Sequence, residues 1–416
     1  MTETNDFLTN ESNESMDNNK IYLDEFYRLY APRDAYHGYD APEDIRAHSS
    51  PHWYTFPPIH PFYQHAFGIF FFLLWVVCIS GNGLVIYIFL KSVQKAPFEL
   101  HRLEAFIPEC SLINRVLFSI RTKTLRTPSN MLIVALALSD FIMIWTQAPP
   151  LFVSMVISKY WAFGHFWCRM YAFTAGIFGC GSLWLIIFIG YDRYNVIVHG
   201  IGGVKITPMK ALAMIVFAFT YSTCTITPTF LGVWGNIIYE GLLNACAFNY
   251  LSEDWKGKSY ILFLVFFNLC LPLGFIIFFY SHIVKAVVNH ERALKEQAKK
   301  MNVESLRSNV NADKESTEIR IAKVSLTAIC LWLLAFAPYA ITVLLAQFGP
   351  RHLITPLVAH VPSMLLKVAA CFNPIIYAIS HPKYREALAT ELPWLGIGEK
   401  SSECKKSGTV THATTA

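Results

Sequence analysis

Seven apolar segments, each long enough to cross a bilayer as a helix, constrain this chain more than any other feature of its sequence. A spanning helix needs roughly 20 mainly apolar residues. Residues 66–90, 127–158, 170–191, 211–239, 259–284, 324–350 and 353–380 meet that requirement, and they contain two charged residues, Asp140 and Lys367. Charged residues make up 15% of the chain, against about 25% in a typical soluble protein. The pattern predicts an all-α membrane protein built as a bundle of seven transmembrane helices.

The charges of the connections predict how the bundle is oriented. Lys and Arg concentrate in cytoplasmic loops, and residues 285–323 and 91–126 hold nine and seven of them, whereas residues 1–64 hold eleven acids and four bases. We therefore expect an extracellular N-terminus and a cytoplasmic C-terminus. The predicted organisation is an extracellular segment (1–65), a seven-helix domain (66–380), and a cytoplasmic amphipathic helix with a disordered tail (381–416).

The extracellular side is expected to carry covalent modifications. Asn10 and Asn13 each begin an N-x-S glycosylation sequence. Cys168 lies at the outer end of the third segment and Cys246 in the loop before the fifth, so both face an oxidising compartment, where a disulfide is stable. No two cysteines form a CxxC pair, and we predict no metal site. The modest net charge of +5 gives no indication of a nucleic-acid partner.

The two charges inside the apolar segments need an explanation, because a charge at the bilayer centre costs about 2.5–3.5 kcal/mol on insertion scales. Asp140 is either a polar contact to Asn82 and Asn373 that holds helices together, or part of a sodium- or water-linked switch. Lys367, near the middle of the last segment, is either one half of a structural ion pair or an amine in an apolar pocket that forms a Schiff base with an aldehyde. A Schiff base that stays protonated requires a nearby anion.

Short motifs in these segments resemble those of the rhodopsin-like G-protein-coupled receptors, and within them the opsins of arthropod photoreceptors. The motifs are Gly81-Asn82, Ser139-Asp140, Asp192-Arg193-Tyr194, Pro272, Tyr280, Pro338 and Asn373-Pro374-Ile375-Ile376-Tyr377. The resemblance covers most of the chain, from residue 53 to residue 388. It implies a light-activated receptor in the plasma membrane of a photoreceptor, and not an enzyme.

The retinal site follows from the same resemblance. In this family a lysine six residues before the Asn-Pro pair of the seventh helix marks an opsin, and Lys367 has that spacing to Asn373. The resemblance therefore implies 11-cis retinal, or 3-hydroxyretinal, bound to Lys367 as a Schiff base and isomerised by light to the all-trans form. Phe336 stands where the family usually has a tryptophan beside the retinal ring.

The position of the counterion resembles that of invertebrate opsins. Vertebrate visual pigments carry a glutamate where this chain has Tyr171, whereas Glu240, six residues before Cys246, matches the distal counterion of invertebrate pigments. We expect Glu240 to be the counterion and Tyr171 to add a hydrogen bond. The alternative is that Glu240 is an ordinary loop acid.

The cytoplasmic ends of the helices are expected to form the G-protein switch. Arg193 can pair with Asp192 or with Glu318 at the foot of the sixth helix, although Glu318 could also be a solvated helix-end acid. The residues that the resemblance assigns to the switch are Asp192, Arg193, Tyr194, Tyr280, Glu318, Asn373, Pro374 and Tyr377. Residues 296–303 and 381–385 resemble receptors that couple to the Gq class, so the implied partners are a Gq-class G protein, arrestin and membrane lipid.

One segment departs from the family pattern, and three alternative functions remain open. Residues 92–121 form an insert of about 30 residues in the first cytoplasmic connection, which is either an amphipathic surface segment or a product of untypical splicing. An opsin fold can also serve as a retinal photoisomerase or a non-visual light sensor. A receptor for a diffusible ligand, with Lys367 as an ion-pair partner, is a third possibility.

Overall fold

Seven membrane-length helices run through the part of the chain that the computed structural model describes, namely residues 35–94, 128–300, 317–380 and 382–395. They are α1 Pro61–Gln94, α2 Pro128–Phe152, α3 Gly164–Val198, α4 Pro208–Phe230, α5 Trp255–Lys300, α6 Thr317–Phe348 and α7 Pro356–Ser380; α2 continues into a π turn, Val153–Ile157, and α5 contains another, Phe266–Cys270. A shorter helix, α8 Pro382–Glu391, follows α7. The predicted seven-helix bundle is confirmed.

Helix α3 lies at the centre of the bundle and packs against α2, α4, α5 and α6, while α7 packs against α1, α2 and α6. Large apolar side chains such as Val77, Ile277 and Leu334 remain exposed on the outer surface of the bundle. An exposed apolar surface of this kind suits contact with lipid tails, because no water reaches the hydrocarbon core.

The predicted end of the fourth helix was wrong. The apolar pattern extended that span to residue 239, but α4 ends at Phe230. Gly232 and Gly235 follow with positive φ angles of 70° and 74°, a conformation that glycine adopts readily and that ends a helix. The remaining apolar residues of the predicted span form a strand. Most other boundaries moved by a few residues: α1 begins at Pro61 instead of residue 66. Helix α5 differs more, because it continues to Lys300, well beyond the predicted end at residue 284.

A β-hairpin closes the outer end of the bundle. Strand β1 Ile237–Glu240 pairs antiparallel with β2 Ala245–Phe248, with Tyr239 opposite Cys246. The predicted disulfide is present and joins Cys168 of α3 to Cys246 of β2. It fixes the hairpin directly over the centre of the bundle.

The segment before α1 folds over the hairpin and covers it. Trp53 is fully buried and its indole Nε1 donates to the Tyr239 carbonyl oxygen at 3.3 Å. The Tyr239 hydroxyl donates to Asp44 at 3.0 Å, and a ring nitrogen of His37 lies 2.9 Å from the Gly241 carbonyl oxygen. The hairpin is therefore an interior element at this end of the bundle.

Several sequence predictions fall outside the described residues. These are the glycosylation sites Asn10 and Asn13, the insert from residue 95 onward, and the tail after residue 395. The three-part division of the chain stays a prediction.

Loss of the disulfide is expected to destabilise the protein strongly. Cys246→Ala opens a loop between cysteines 78 residues apart, which in the chain-entropy model lowers stability by about 4 kcal/mol. Thermal unfolding of the purified protein measures this, with Cys224→Ala, an exposed free cysteine on α4, as the matched control. Equal unfolding temperatures for the two variants would contradict the prediction.

Candidate retinal-binding site

An apolar cavity of about 240 Å³ lies in the outer half of the bundle, bounded by α2 to α7 and covered by the hairpin. A single water needs only about 10–15 Å³ of such space, so the cavity has room for an organic ligand and is not a packing defect. All four residues expected to contact the cofactor line it: Tyr171, Glu240, Phe336 and Lys367. The fold thus brings together residues up to 196 positions apart in the sequence.

Lys367 enters the cavity from α7 without a carboxylate at hydrogen-bond distance. Its Nζ donates to the Ser363 carbonyl oxygen at 3.2 Å, one helical turn earlier, and lies 5.9 Å from the centre of the Tyr171 ring. The Tyr171 hydroxyl is buried and has no hydrogen-bond partner among the described residues. A primary amine in an apolar pocket is a good nucleophile for an aldehyde, because burial favours its neutral form.

Glu240 is buried in the cavity roof, with 4% of its surface exposed. Its carboxylate accepts a hydrogen bond from the Tyr250 hydroxyl at 2.7 Å and makes no direct ion pair with Lys367. Burial raises the pKa of Glu240 to about 7, and the hydrogen bond from Tyr250 and the charge of Lys367 oppose that rise. The site therefore holds an acid whose charge acts on the lysine through space.

Aromatic rings of α6 form the cavity floor. The rings of Phe336 and Trp332 stack with centroids 4.7 Å apart and an interplanar angle of 13°, and both residues line the cavity. Trp332, one turn earlier than the family's usual tryptophan, thus places its ring against Phe336. Two aromatic rings stand where the family pattern has one.

Asp140 lines the cavity and belongs to a hydrogen-bond network that joins α2, α3 and α7. Its oxygens accept from Asn373 at 2.7 Å and from Ser182 at 2.8 Å. Asn82, which we expected to contact Asp140, donates instead to the carbonyl oxygens of Cys78 and Ala370 at 3.2 and 3.0 Å. The predicted contact between Asp140 and Asn373 is thus present.

At the end of α3 opposite the disulfide, Arg193 forms an ion pair with Asp192, and both side chains are nearly buried. Ser129 of α2 accepts from Arg193 at 2.7 Å and donates to Asp192 at 2.5 Å. Tyr194 packs its ring against Phe279 and His282 of α5. This motif therefore connects α3 to the adjacent helices α2 and α5.

Small residues let the other predicted switch residues approach neighbouring helices. A Cβ at Gly190 would lie 2.9 Å from the Tyr280 ring, and one at Gly81 would lie 3.0 Å from Pro374 Cβ. Glu318 and Tyr377 belong to the helical backbone of α6 and α7, but their side chains lie outside the described part.

Two polar residues of the cavity region were missed by sequence reasoning. Tyr250 reaches Glu240 only because the chain folds back on the hairpin, so no local pattern indicates it. Asn268 lines the cavity from α5. Its amide is an isolated polar group in an uncharged span, and this could have identified it as a candidate site residue, since polar residues inside the membrane are commonly functional.

The fold and the site together define a seven-helix membrane receptor with a lysine-containing ligand cavity. The family described as 7 transmembrane receptor (rhodopsin family) matches residues 115–377. The chain is 39% identical over 360 residues to the compound eye opsin BCRH2 of Hemigrapsus sanguineus, covering 86% of this chain and 87% of that one. It is 37% identical over 363 residues to the lateral eye opsin of Limulus polyphemus, covering 86% and 88%.

The fold of the chain is also similar to that of squid rhodopsin, with a TM-score of 0.67 and 35% identity over 83% of this chain and 90% of the squid structure. The chain belongs to the rhodopsin family of seven-transmembrane receptors, and within it to the invertebrate opsins. It is accordingly a light-sensing, multi-pass membrane receptor and not an enzyme.

The buried carboxyl of Glu240 predicts a pH dependence of stability for the retinal-free protein. Its pKa rises from the ordinary 4.5 to about 7 on folding, so between these values the folded chain keeps a proton that the unfolded chain has lost. Stability is therefore fully present below about pH 4.5 and falls as pH rises to about 7, by on the order of 3 kcal/mol at most.

Apparent unfolding temperatures at about pH 5 and pH 8 measure this effect. Glu240→Gln is expected to remove the part of the slope that Glu240 contributes. Glu253→Gln, at an acid with 83% of its side chain exposed, is the matched control. The same slope in wild type and Glu240→Gln would show that Glu240 does not titrate in this range.

Proposed function

We propose that this receptor binds 11-cis retinal through a Schiff base on Lys367 and, after illumination, activates a Gq-class G protein. The observation that carries the proposal is the geometry of the cavity: one amine, from Lys367, faces a large apolar space whose roof holds the buried Glu240. Retinal suits such a space, because it has a long apolar body and one aldehyde.

Lys367 supplies the covalent attachment. Its Nζ would hold the ligand through a carbon–nitrogen double bond to the aldehyde carbon, with the aldehyde oxygen and two amine protons released as water. When bound, retinal supplies the absorption of light and the change of shape from 11-cis to all-trans. The chain around it excludes bulk water, because the hairpin and the segment before α1 cover the cavity.

Glu240 and Tyr171 are proposed to stabilise the proton on the attached nitrogen. Glu240 accepts one hydrogen bond, from Tyr250, although a carboxylate has about four lone-pair sites, so it retains capacity to act on a positive charge. Tyr171 lies beside Lys367 with a buried hydroxyl that lacks a protein partner. Electrostatic attraction is strong there, because the surroundings are apolar.

Transmission to the cytoplasm is proposed to run through α6 and α7. The stacked Trp332 and Phe336 of α6 line the cavity, so a ligand that changed shape there would act on α6, and packed helices move between discrete arrangements. At the cytoplasmic end, Arg193 exchanges partners among Asp192, Ser129 and Glu318. Tyr280 and Tyr377 move inward, and residues 296–303 and 381–385 contact the G protein.

The ion pair of Asp192 and Arg193 favours a signalling receptor over a retinal photoisomerase. Both charged side chains are more than 90% buried, and Ser129 adds two hydrogen bonds to them. A buried pair of this kind is expensive to maintain, and an isomerase would have no use for it at the cytoplasmic surface.

Arrestin binding to the tail after residue 400 remains part of the proposal.

Lys367→Ala is expected to abolish pigment formation, because it removes the amine that forms the linkage. Purified protein is incubated with 11-cis retinal in the dark, and the spectrum is recorded before and after illumination. Lys159→Ala, which removes an extracellular lysine paired with Asp40 at 2.5 Å, is the matched control and should keep the band. Folded wild type without a photosensitive band would refute the proposed function.

Glu240→Gln is expected to convert the pigment at about pH 7 to a form that absorbs at shorter wavelength. Without the carboxylate, the positive charge on the linkage loses its stabilising partner and the proton dissociates. An absorption titration between about pH 5 and pH 9 measures this, with Glu253→Gln as the control. An unchanged band and titration in Glu240→Gln would assign the counterion to another residue.

A further inference from the structure

Two free cysteines face each other where α7 packs against α1. Cys78 of α1 and Cys371 of α7 are the two that are buried among the six free cysteines of the described part of the chain. The Cys371 thiol donates to the Leu74 carbonyl oxygen at 3.8 Å, one helical turn before Cys78. The side chains of the two cysteines also interact directly. The interface between these helices therefore holds a pair of adjacent thiols.

The thiols can meet because the two helices approach closely beside them. Three residues further along each helix, a Cβ at Gly81 would lie 3.0 Å from Pro374 Cβ, so a glycine permits the close approach. Cys371 follows Lys367 by four residues, which is about 6 Å along α7. Neither cysteine lines the cavity, so the binding of a ligand there makes no use of the pair.

Asn82 places a hydrogen-bond donor against one of the two sulfur atoms. Its Nδ2 lies 3.3 Å from Cys78 Sγ. A buried cysteine among apolar neighbours is inert and behaves as a small apolar residue. A cysteine reacts as the thiolate, and the Asn82 donor stabilises the negative charge that the Cys78 sulfur carries when it reacts. With this donor and a second thiol beside it, Cys78 differs from a packing residue.

We propose that Cys78 and Cys371 are a site of oxidative modification, at which hydrogen peroxide converts the two thiols into a disulfide between α1 and α7. Hydrogen peroxide suits this site because it is small and uncharged, so it can reach thiols buried between helices. The disulfide ties α7, which carries Lys367, to α1. This inference is independent of retinal and of the proposed attachment at Lys367.

The oxidation proceeds in two steps that balance. The Cys78 thiol loses its proton and its sulfur attacks one peroxide oxygen; the oxygen–oxygen bond breaks, water leaves, and Cys78 carries a sulfenic acid. The Cys371 sulfur then attacks the Cys78 sulfur, the sulfur–oxygen bond breaks, and a second water leaves. The two thiols together lose two electrons, and one hydrogen peroxide molecule is reduced to two waters.

Mapping the cysteine links of the folded protein tests the proposal. The full-length, retinal-free protein is treated with hydrogen peroxide in the dark and then denatured in excess N-ethylmaleimide, which blocks free thiols and prevents exchange. Mass spectrometry of a digest made without reductant identifies the linked peptides. We expect a link between Cys78 and Cys371 that is absent before peroxide is added and is lost when dithiothreitol is added afterwards.

Single variants assign the link to this pair. Cys78→Ser and Cys371→Ser should each abolish it, whereas Cys224→Ser, at an exposed free cysteine of α4, should leave it unchanged. The link between Cys168 and Cys246, present in the same digests, verifies that each variant has formed the native disulfide.

Three outcomes would overturn the proposal. The first is recovery of Cys78 and Cys371 as free thiols from folded protein in which peroxide has oxidised the exposed Cys224. The second is oxidation of either cysteine to a sulfinic or sulfonic acid, or its linkage to another cysteine, in place of the expected link. The third is a complete link before peroxide is added, which would make the pair a permanent structural disulfide.

Discussion

The burial of one amine in an apolar cavity is the constraint on which the outer half of this receptor depends. A lysine at the depth of Lys367 costs about 2.5–3.5 kcal/mol on insertion scales, and within the described part of the chain no carboxylate pairs with it directly. The compensating acid, Glu240, comes from outside the helices. It has to be carried into the bundle by a loop, and that loop has to be held in place, so the architecture of this end of the bundle follows from the burial of Lys367 in α7.

The hairpin that carries Glu240 is restrained from several directions. The disulfide joins β2 to α3, Trp53 and His48 hydrogen-bond the backbone of Tyr239 on β1, and the Trp161 N–H donates to the carbonyl oxygen of Leu243 in the turn. A carboxylate on a mobile loop would spend much of its time in water. Held this way, it stays buried at the cavity.

The bundle could be predicted because lipid imposes a simple rule on the sequence. Apolar runs of sufficient length predicted seven helices, and Asp140 and Lys367 stood out because charges are rare there. The prediction failed where apolar residues are buried in protein and not in lipid. Apolar residues that follow Phe230 belong to β1, and the sequence did not reveal this because burial in a hairpin selects the same residue types as burial in lipid. Glu240 was expected only through family resemblance, and its bond to Tyr250 depends on tertiary folding that no local pattern encodes.

Helix α7 joins the two polar regions of the bundle. Lys367 lies at the cavity, and Asn373, which donates to Asp140 at 2.7 Å, follows six residues later, about 9 Å along the helix. Both residues belong to the same helix, so a displacement of α7 moves both positions. Asp140 also accepts from Ser182 of α3, so its oxygens are well occupied, whereas Glu240 accepts one bond. We infer that Glu240 acts electrostatically on the lysine. Asp140, through its hydrogen bonds, couples the position of α7 to the positions of α2 and α3.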